Sequence, residues 1–308
     1  MASLSLDSFS EMKEDPFYSF FRHAFLSIGS NLENEELGSF DERPVTEYGN
    51  TLVLDLFALN VSHIKAEASI ILNVWIWCVH ELYNLLRACE QKDVDSQSKM
   101  NAALDIAAAL WIGTDQSEGD NNSGNLLYNL AEQISVHFNQ DHSEAEVNSA
   151  ILTGFRDIQL NIAKGTCTSD ASGYIKIRSI IKRLFGLMTV PLVQTLIHHI
   201  MEPVMSGKSN FIELYTLAIA ARVEACNTTA FNAMLSLFVV GDFNEDNKDK
   251  AIQLIQNVYP CLDMSCKDVG KYRSNEGCLD NSSQFEILAG YPTTFNVEQV
   301  RFERSFYD

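Results

Sequence analysis

Apolar residues recur at spacings of three and four through most of this chain, and the stretch from Ser98 to Phe138 shows the pattern most fully. Met100, Leu104, Ala107, Ala108 and Trp111 form one helical stripe; Leu126, Leu127, Leu130, Ala131, Ile134 and Phe138 form a second. Gly113 stands where a left-handed C-cap is expected. The polar loop after it is long enough to let the two helices pack antiparallel. Each stripe needs another apolar face over it, so the pattern calls for helix packed on helix.

Other segments repeat the spacing. A long helix is expected from Lys65 to Cys89, with Ile71, Trp75, Cys78, Leu82, Leu86 and Cys89 as its buried stripe. Ser143 and Glu146 read as a capping box at the head of a helix carrying Val147, Ile151, Ile158 and Ile162. The segment YIKIRSIIKRLFGLM is amphipathic and basic, and its Lys176, Arg178, Lys182 and Arg183 read as a solvated face balancing acidic neighbours. Thr189 and Pro191 read as the start of a separate helix, because proline in a first turn costs no hydrogen bond. FIELYTLAIAARVEAC and TTAFNAMLSLF follow, with Asn227 or Thr228 as the cap between them, and DKAIQLIQNVY is the last clear helix. Strands are expected only in short pieces near 51–59 and in the C-terminal arm.

The expected fold is therefore all-α, a compact multi-helix domain of about eight to ten helices with an irregular, cysteine-containing C-terminal segment. Residues 1–14 read as a disordered lead-in, with a short aromatic helix after it that inserts Phe17, Phe20, Phe21 and Phe25. A single helical domain spans 15–266 and divides into two weakly related halves, about 15–140 and 141–266. Residues 267–308 form an arm packed on that domain.

Acidic residues outnumber basic ones by 41 to 22, giving a formal charge of −19. Such a field repels nucleic acid and anionic membranes and gathers cations. The longest apolar run, ASIILNVWIWCV, is too short for a membrane span, and MASLSLDSFSEMKEDPF lacks the basic and apolar regions of a signal peptide. Seven cysteines fit no zinc pattern. In an oxidising compartment at least one of Cys261, Cys266 and Cys278 is expected in a disulfide, with Cys226 as an alternative partner for Cys261. Four sequons, at Asn60, Asn121, Asn227 and Asn281, are compatible with secretion.

Chemistry-bearing residues are few. His63 and Glu67, and His198 and Glu202, stand four apart and share a helix face, and His80–Glu81 and His198–His199 add donors. Converging imidazoles and carboxylates suit iron, zinc or copper. Glu67, His80, Glu81, His198 and Glu202 are the candidate metal ligands, although structural histidines explain the same residues without a metal. The acidic stretches Glu118–Asn122 and Asp242–Asp249 resemble calcium loops in composition and miss the EF-hand template. No nucleophile elbow, cysteine-protease signature or phosphate-binding glycine loop occurs, so no catalytic residue is assigned and the chain reads as a non-enzyme.

Several blocks together carry a resemblance: DPFYSFFRHAF, LNVWIWCVHELYNLLRAC, AAALWIG followed by SGNLLYNLAEQ, NIAKGTC, GLMTVPLVQTLIHHI, ARVEACN and CLDMSCKDVG. In this order, over roughly residues 15 to 270, they resemble a group of secreted proteins from diatoms and related algae. That group is similar to the low-iron-inducible and high-CO2-inducible periplasmic proteins. The resemblance implies a mainly helical, secreted or cell-surface protein, some members of which are linked to iron assimilation, and it does not imply an enzyme. Members usually carry cysteine where this chain has Ser135, which leaves the partner of Cys167 open.

The leading functional expectation is a non-enzymatic algal protein of the cell surface or an organelle lumen that binds iron or another cation, or assists its uptake. Plastid or cytoplasm is the alternative location. The alternative function is a structural or scaffold component of an algal assembly, acting through protein–protein contacts and open to oligomerisation.

Overall fold

The computed structural model describes residues 39–40, 43–44, 53, 62–91, 95–117, 123–138, 145–169, 171–202, 208–239 and 243–272. These are 84% helical, and they form ten helices, eight of them at least seven residues long. Helix α1 comprises Ser62–Ser69, a π-turn at Ile70–Val74, and Trp75–Gln91. There follow α2 (Ser96–Ile112), α3 (Leu127–Ser135), α4 (Glu146–Ala163), α5 (Thr166–Ser169) and α6 (Ala171–Met201). The remaining helices are α7 (Lys208–Cys226), α8 (Thr228–Phe238), α9 (Lys248–Asn257) and α10 (Cys266–Val269). Ser39–Phe40 and Arg43–Pro44 pair antiparallel over two residues each. Val53 has helical backbone, and the rest of 51–59 lies outside the described residues, as do the aromatic segment Phe17–Phe25 and the arm beyond 272.

The 31-residue α6 is the element on which the others are arranged; α1, α3, α4, α5, α7, α9 and α10 all pack on it. The sequence pattern had put the break of this helix at Thr189–Pro191, and the structure overturns that reading. Pro191 lies inside α6. It removes one backbone donor there, yet Leu187, Met188, Val190, Leu192, Val193 and Leu196 are all buried around it. Packing on all sides outweighs the loss of one hydrogen bond. Two hydroxyls brace the same turn: Thr189 Oγ1 donates to the Phe185 carbonyl and Thr195 Oγ1 to that of Pro191, each at 2.8 Å.

Most of the two hairpin stripes is buried, with Trp111 and Ala107 fully inaccessible and Phe138 nearly so, while Ala108, Leu126 and Leu130 are half-buried. The main partner of α2, however, is α1 rather than α3. Gly113 ends α2 at φ +80°, and a Cβ there would meet the Leu126 side chain at 3.0 Å. Ser143, the first residue of the expected capping box at the head of α4, lies outside the described residues. The N-cap is Ala145, whose amide is taken by both carboxylate oxygens of Glu132 from α3, at 3.1 and 3.0 Å. Glu132 also accepts from Asn148 Nδ2 at 2.7 Å, and Asn148 Oδ1 accepts from the Trp111 indole at 3.0 Å. This buried network ties α2, α3 and α4 together.

Two disulfides staple the bundle. Cys89 of α1 pairs with Cys167 of α5, and Cys226 at the end of α7 with Cys261. The first supplies the partner of Cys167 that the resemblance left open. Ser135 instead donates to the Glu132 carbonyl at 2.9 Å. Cys266 is also disulfide-bonded, and Cys278 lies outside the described residues. Cys78 is a buried free thiol whose sulfur donates to the Ala107 carbonyl; burial, then the nearby Glu81 charge, pushes its pKa up.

Among the described residues two helices have the length and apolar composition to cross a membrane, Glu67–Gln91 and Ser172–Met201, but 67% and 83% of their most apolar windows are buried inside this fold. They read as core helices. The region after Tyr259 is more regular than expected, since Tyr259–Leu262 is a 3₁₀ turn and Cys266–Val269 is helical.

Candidate functional site

At its C-terminal end α6 presents His198 and His199, and the last turn reaches Glu202, whose amide bonds the His198 carbonyl at 2.9 Å. A second piece of chain is brought onto this end by α10. Ser265 caps α10 through Asp268, and Asp268 is in turn paired with Arg183 of α6. Burial raises the Asp268 carboxyl, but the hydrogen bonds from Arg183 and Ser265 outweigh it and hold the group below its usual range. Gln194 of α6 donates to the Val269 carbonyl at 2.8 Å. Gly270 then turns the chain at φ +81°, packed so closely on Phe138 that a Cβ would lie 3.0 Å from its carbonyl oxygen. The turn delivers Tyr272 against His198.

The result is a compact set of donors. Tyr272 Oη gives its proton to Glu202 Oε1 at 2.8 Å, and His198 Nδ1 lies 3.1 Å from the same phenol oxygen. Since the phenol has one proton and Glu202 takes it, Nδ1 of His198 faces the phenol oxygen as a donor. His198 Nδ1 and Glu202 Oε1 are 4.0 Å apart, with side chains 21% and 19% exposed. His137, just past α3, stacks on His198 with ring centroids 4.3 Å apart, and Phe138 meets Tyr272 edge-on at 5.3 Å. The set is thus half-buried and walled by aromatic rings.

The other candidate ligands go elsewhere. Glu67 accepts a 2.7 Å hydrogen bond from Tyr215 of α7, whose hydroxyl is pushed well above its ordinary pKa by burial and then by the Glu67 charge. His80 Nε2 meets Asn84 at 2.9 Å, and Glu81 accepts from the same amide at 3.4 Å. Of the five, His198 and Glu202 meet directly, and His80 and Glu81 share the Asn84 amide; among the described residues no three His, Cys, Asp or Glu side chains converge as a metal group. The residues missed are Tyr272 and His137, which complete the set around His198. The second calcium-like stretch is described from Phe243 on. Asn244 caps the 3₁₀ turn Glu245–Asn247, and Lys248 reaches Glu245 at 3.1 Å and the Met201 carbonyl at 2.8 Å. Glu118–Asn122 lies outside the described residues. Two of the four basic residues of α6 balance acidic neighbours as expected, Lys182 3.3 Å from Asp263 and Arg183 on Asp268.

No protein-family model, curated protein or solved structure matches this chain.

Proposed function

We propose that this chain is a non-enzymatic protein of an oxidising compartment, extracellular or lumenal, that binds a hard cation, ferric iron foremost, through Tyr272, His198 and Glu202. One observation carries the reading. The three donor atoms form a triangle with edges of 2.8, 3.1 and 4.0 Å. Three points so spaced lie on a circle of radius about 2.0 Å, close to the oxygen and nitrogen bond lengths of small cations. A phenolate, a carboxylate and an imidazole are two hard oxygens and a borderline nitrogen, a set that favours a highly charged ion over calcium or magnesium.

Loading requires the phenol to give up its proton and the His198 proton to move from Nδ1 to Nε2, so binding releases one proton and weakens as pH falls. The charge of −19 raises the local cation concentration without supplying selectivity. The two disulfides accord with the compartment.

The test is a titration with ferric nitrilotriacetate at physiological salt, in competition with calcium and magnesium. Wild-type protein is expected to bind Fe(III) selectively and to develop a visible phenolate-to-iron charge-transfer band. Tyr272→Phe, which keeps the ring against Phe138, should lose the band; His198→Ala should weaken binding at least about tenfold; Glu81→Ala should change nothing. A band that survives Tyr272→Phe, or weak unselective binding shared by all variants, overturns the proposal.

A further inference from the structure

The α7–α8 junction holds the one sequon of the four that falls among the described residues, Asn227-Thr228-Thr229. Asn227 is the single residue between the two helices. Its Oδ1 accepts the Ala230 amide at 3.0 Å and so caps α8. Its Nδ2 makes no hydrogen bond within the described protein. Thr228 and Thr229 are exposed, and Asn227 is half-buried. The preceding residue, Cys226, is in a disulfide.

We infer that Asn227 is an N-glycosylation site, with the glycan on Nδ2 while Oδ1 keeps its place as the helix cap. The two roles use different atoms of one amide. In the transfer, Nδ2 forms a bond to the anomeric carbon of a sugar activated as a lipid-linked diphosphate. The bond from that carbon to the diphosphate oxygen breaks, the lipid diphosphate leaves with the electron pair, and one amide proton passes to the transferase base. The carbonyl oxygen survives, so the glycosylated side chain still accepts from Ala230. In the folded chain Thr229 is already wound into α8, so the transferase must reach the sequon before α8 closes. The disulfide at Cys226 points to the same compartment, since enzymes that form disulfides and those that attach N-glycans share an oxidising lumen. The inference rests on the compartment part of the proposed function and is independent of its metal part.

The experiment uses the full chain directed into the secretory pathway of a eukaryotic cell, with both secreted and retained lumenal protein collected. Peptide N-glycosidase in heavy-oxygen water converts each glycan-bearing asparagine to a mass-tagged aspartate. The Asn227 peptide is expected to carry the tag in wild type and to lose it in Thr229→Ala, which leaves the cap intact. Asn227→Asp should be unglycosylated there and keep its melting temperature, whereas Asn227→Ala should melt lower because the cap is gone. An untagged Asn227 in wild-type protein whose Cys226–Cys261 disulfide has formed overturns the inference; iron binding, read separately, is unaffected by either result.

Discussion

The substitution Asp263→Asn removes one charge from a pair whose two members sit in unequal surroundings. Arg222 of α7 is the buried member. Its side chain is 2% exposed, its Nη2 lies 3.0 Å from Asp263, its Nη1 donates to Thr189 at 2.8 Å, and its guanidinium stands 3.9 Å over the Phe185 ring. Its Nε has no partner. Burial, opposed by the Asp263 charge, lowers its pKa to about 10. That corresponds to about 3 kcal/mol against the charged form even with Asp263 in place. Asp263 is better served, being partly hydrated and 3.3 Å from Lys182 as well. Its left-handed backbone, at φ +54°, is one that asparagine also tolerates, so Asp263→Asn tests charge and not strain.

The expected costs are therefore asymmetric. Asp263→Asn leaves a buried cation facing a neutral amide in place of a carboxylate, and breaking a buried pair from that side costs up to about 3–5 kcal/mol. Arg222→Met removes the ill-solvated partner, fills much of the space over Phe185, and leaves Asp263 with Lys182; about 1–2 kcal/mol is expected for the lost Thr189 bond and imperfect packing. The double variant should be close to Arg222→Met alone. Urea unfolding of the oxidised protein, followed by helical circular dichroism with the slopes compared, reads all three. If Arg222→Met costs as much as Asp263→Asn, the pair is not organised by burial of the cation and the reasoning fails.

The Cys89–Cys167 and Cys226–Cys261 bridges close loops of 78 and 35 residues; serine pairs in their place should lower stability by about 4.5 and about 3.8 kcal/mol on the chain-entropy account, and equal losses by calorimetry would point to strain or packing instead. Glu132→Gln places an NH2 against the Ala145 and Asn148 donors and should cost about 1–3 kcal/mol, with lost hydrogen-exchange protection at the head of α4 as the local sign. Retained protection there would show that the carboxylate is dispensable as a cap.

Helix class and core were legible because burial needs little more than spacing. Ile71, Trp75, Cys78, Leu82, Leu86 and Cys89 repeat at three and four, and all are buried. What spacing could not reveal was continuity. Proline inside α6 looks like a start signal to any local argument, and only the packing on both sides shows why the helix passes through it. The start of α4 shows a related limit: Glu132, 13 residues before Ala145 in sequence, takes the Ala145 amide, and nothing in the local sequence marks that contact. Local rules propose caps, and tertiary contacts choose among them. The π-turn at Ile70–Val74 carries no residue that marks it, since the apolar stripe reads through it at the ordinary interval.

The donor set was half visible. His198 and Glu202 lie four apart on one helix, so their proximity follows from helical geometry alone. Tyr272 is 74 positions from His198, and no periodicity connects them. Its arrival depends on a chain of local events: the Ser265 cap, the Arg183–Asp268 pair, the Gln194–Val269 bond, and a glycine at positive φ against Phe138. Each is ordinary alone. Together they hold one phenol over one imidazole, and they make a falsifiable link between fold and function. Weakening that chain at Asp268, with no donor atom touched, should loosen Tyr272 from His198 and reduce ferric binding; a site assembled by the helix pair alone would be indifferent to it.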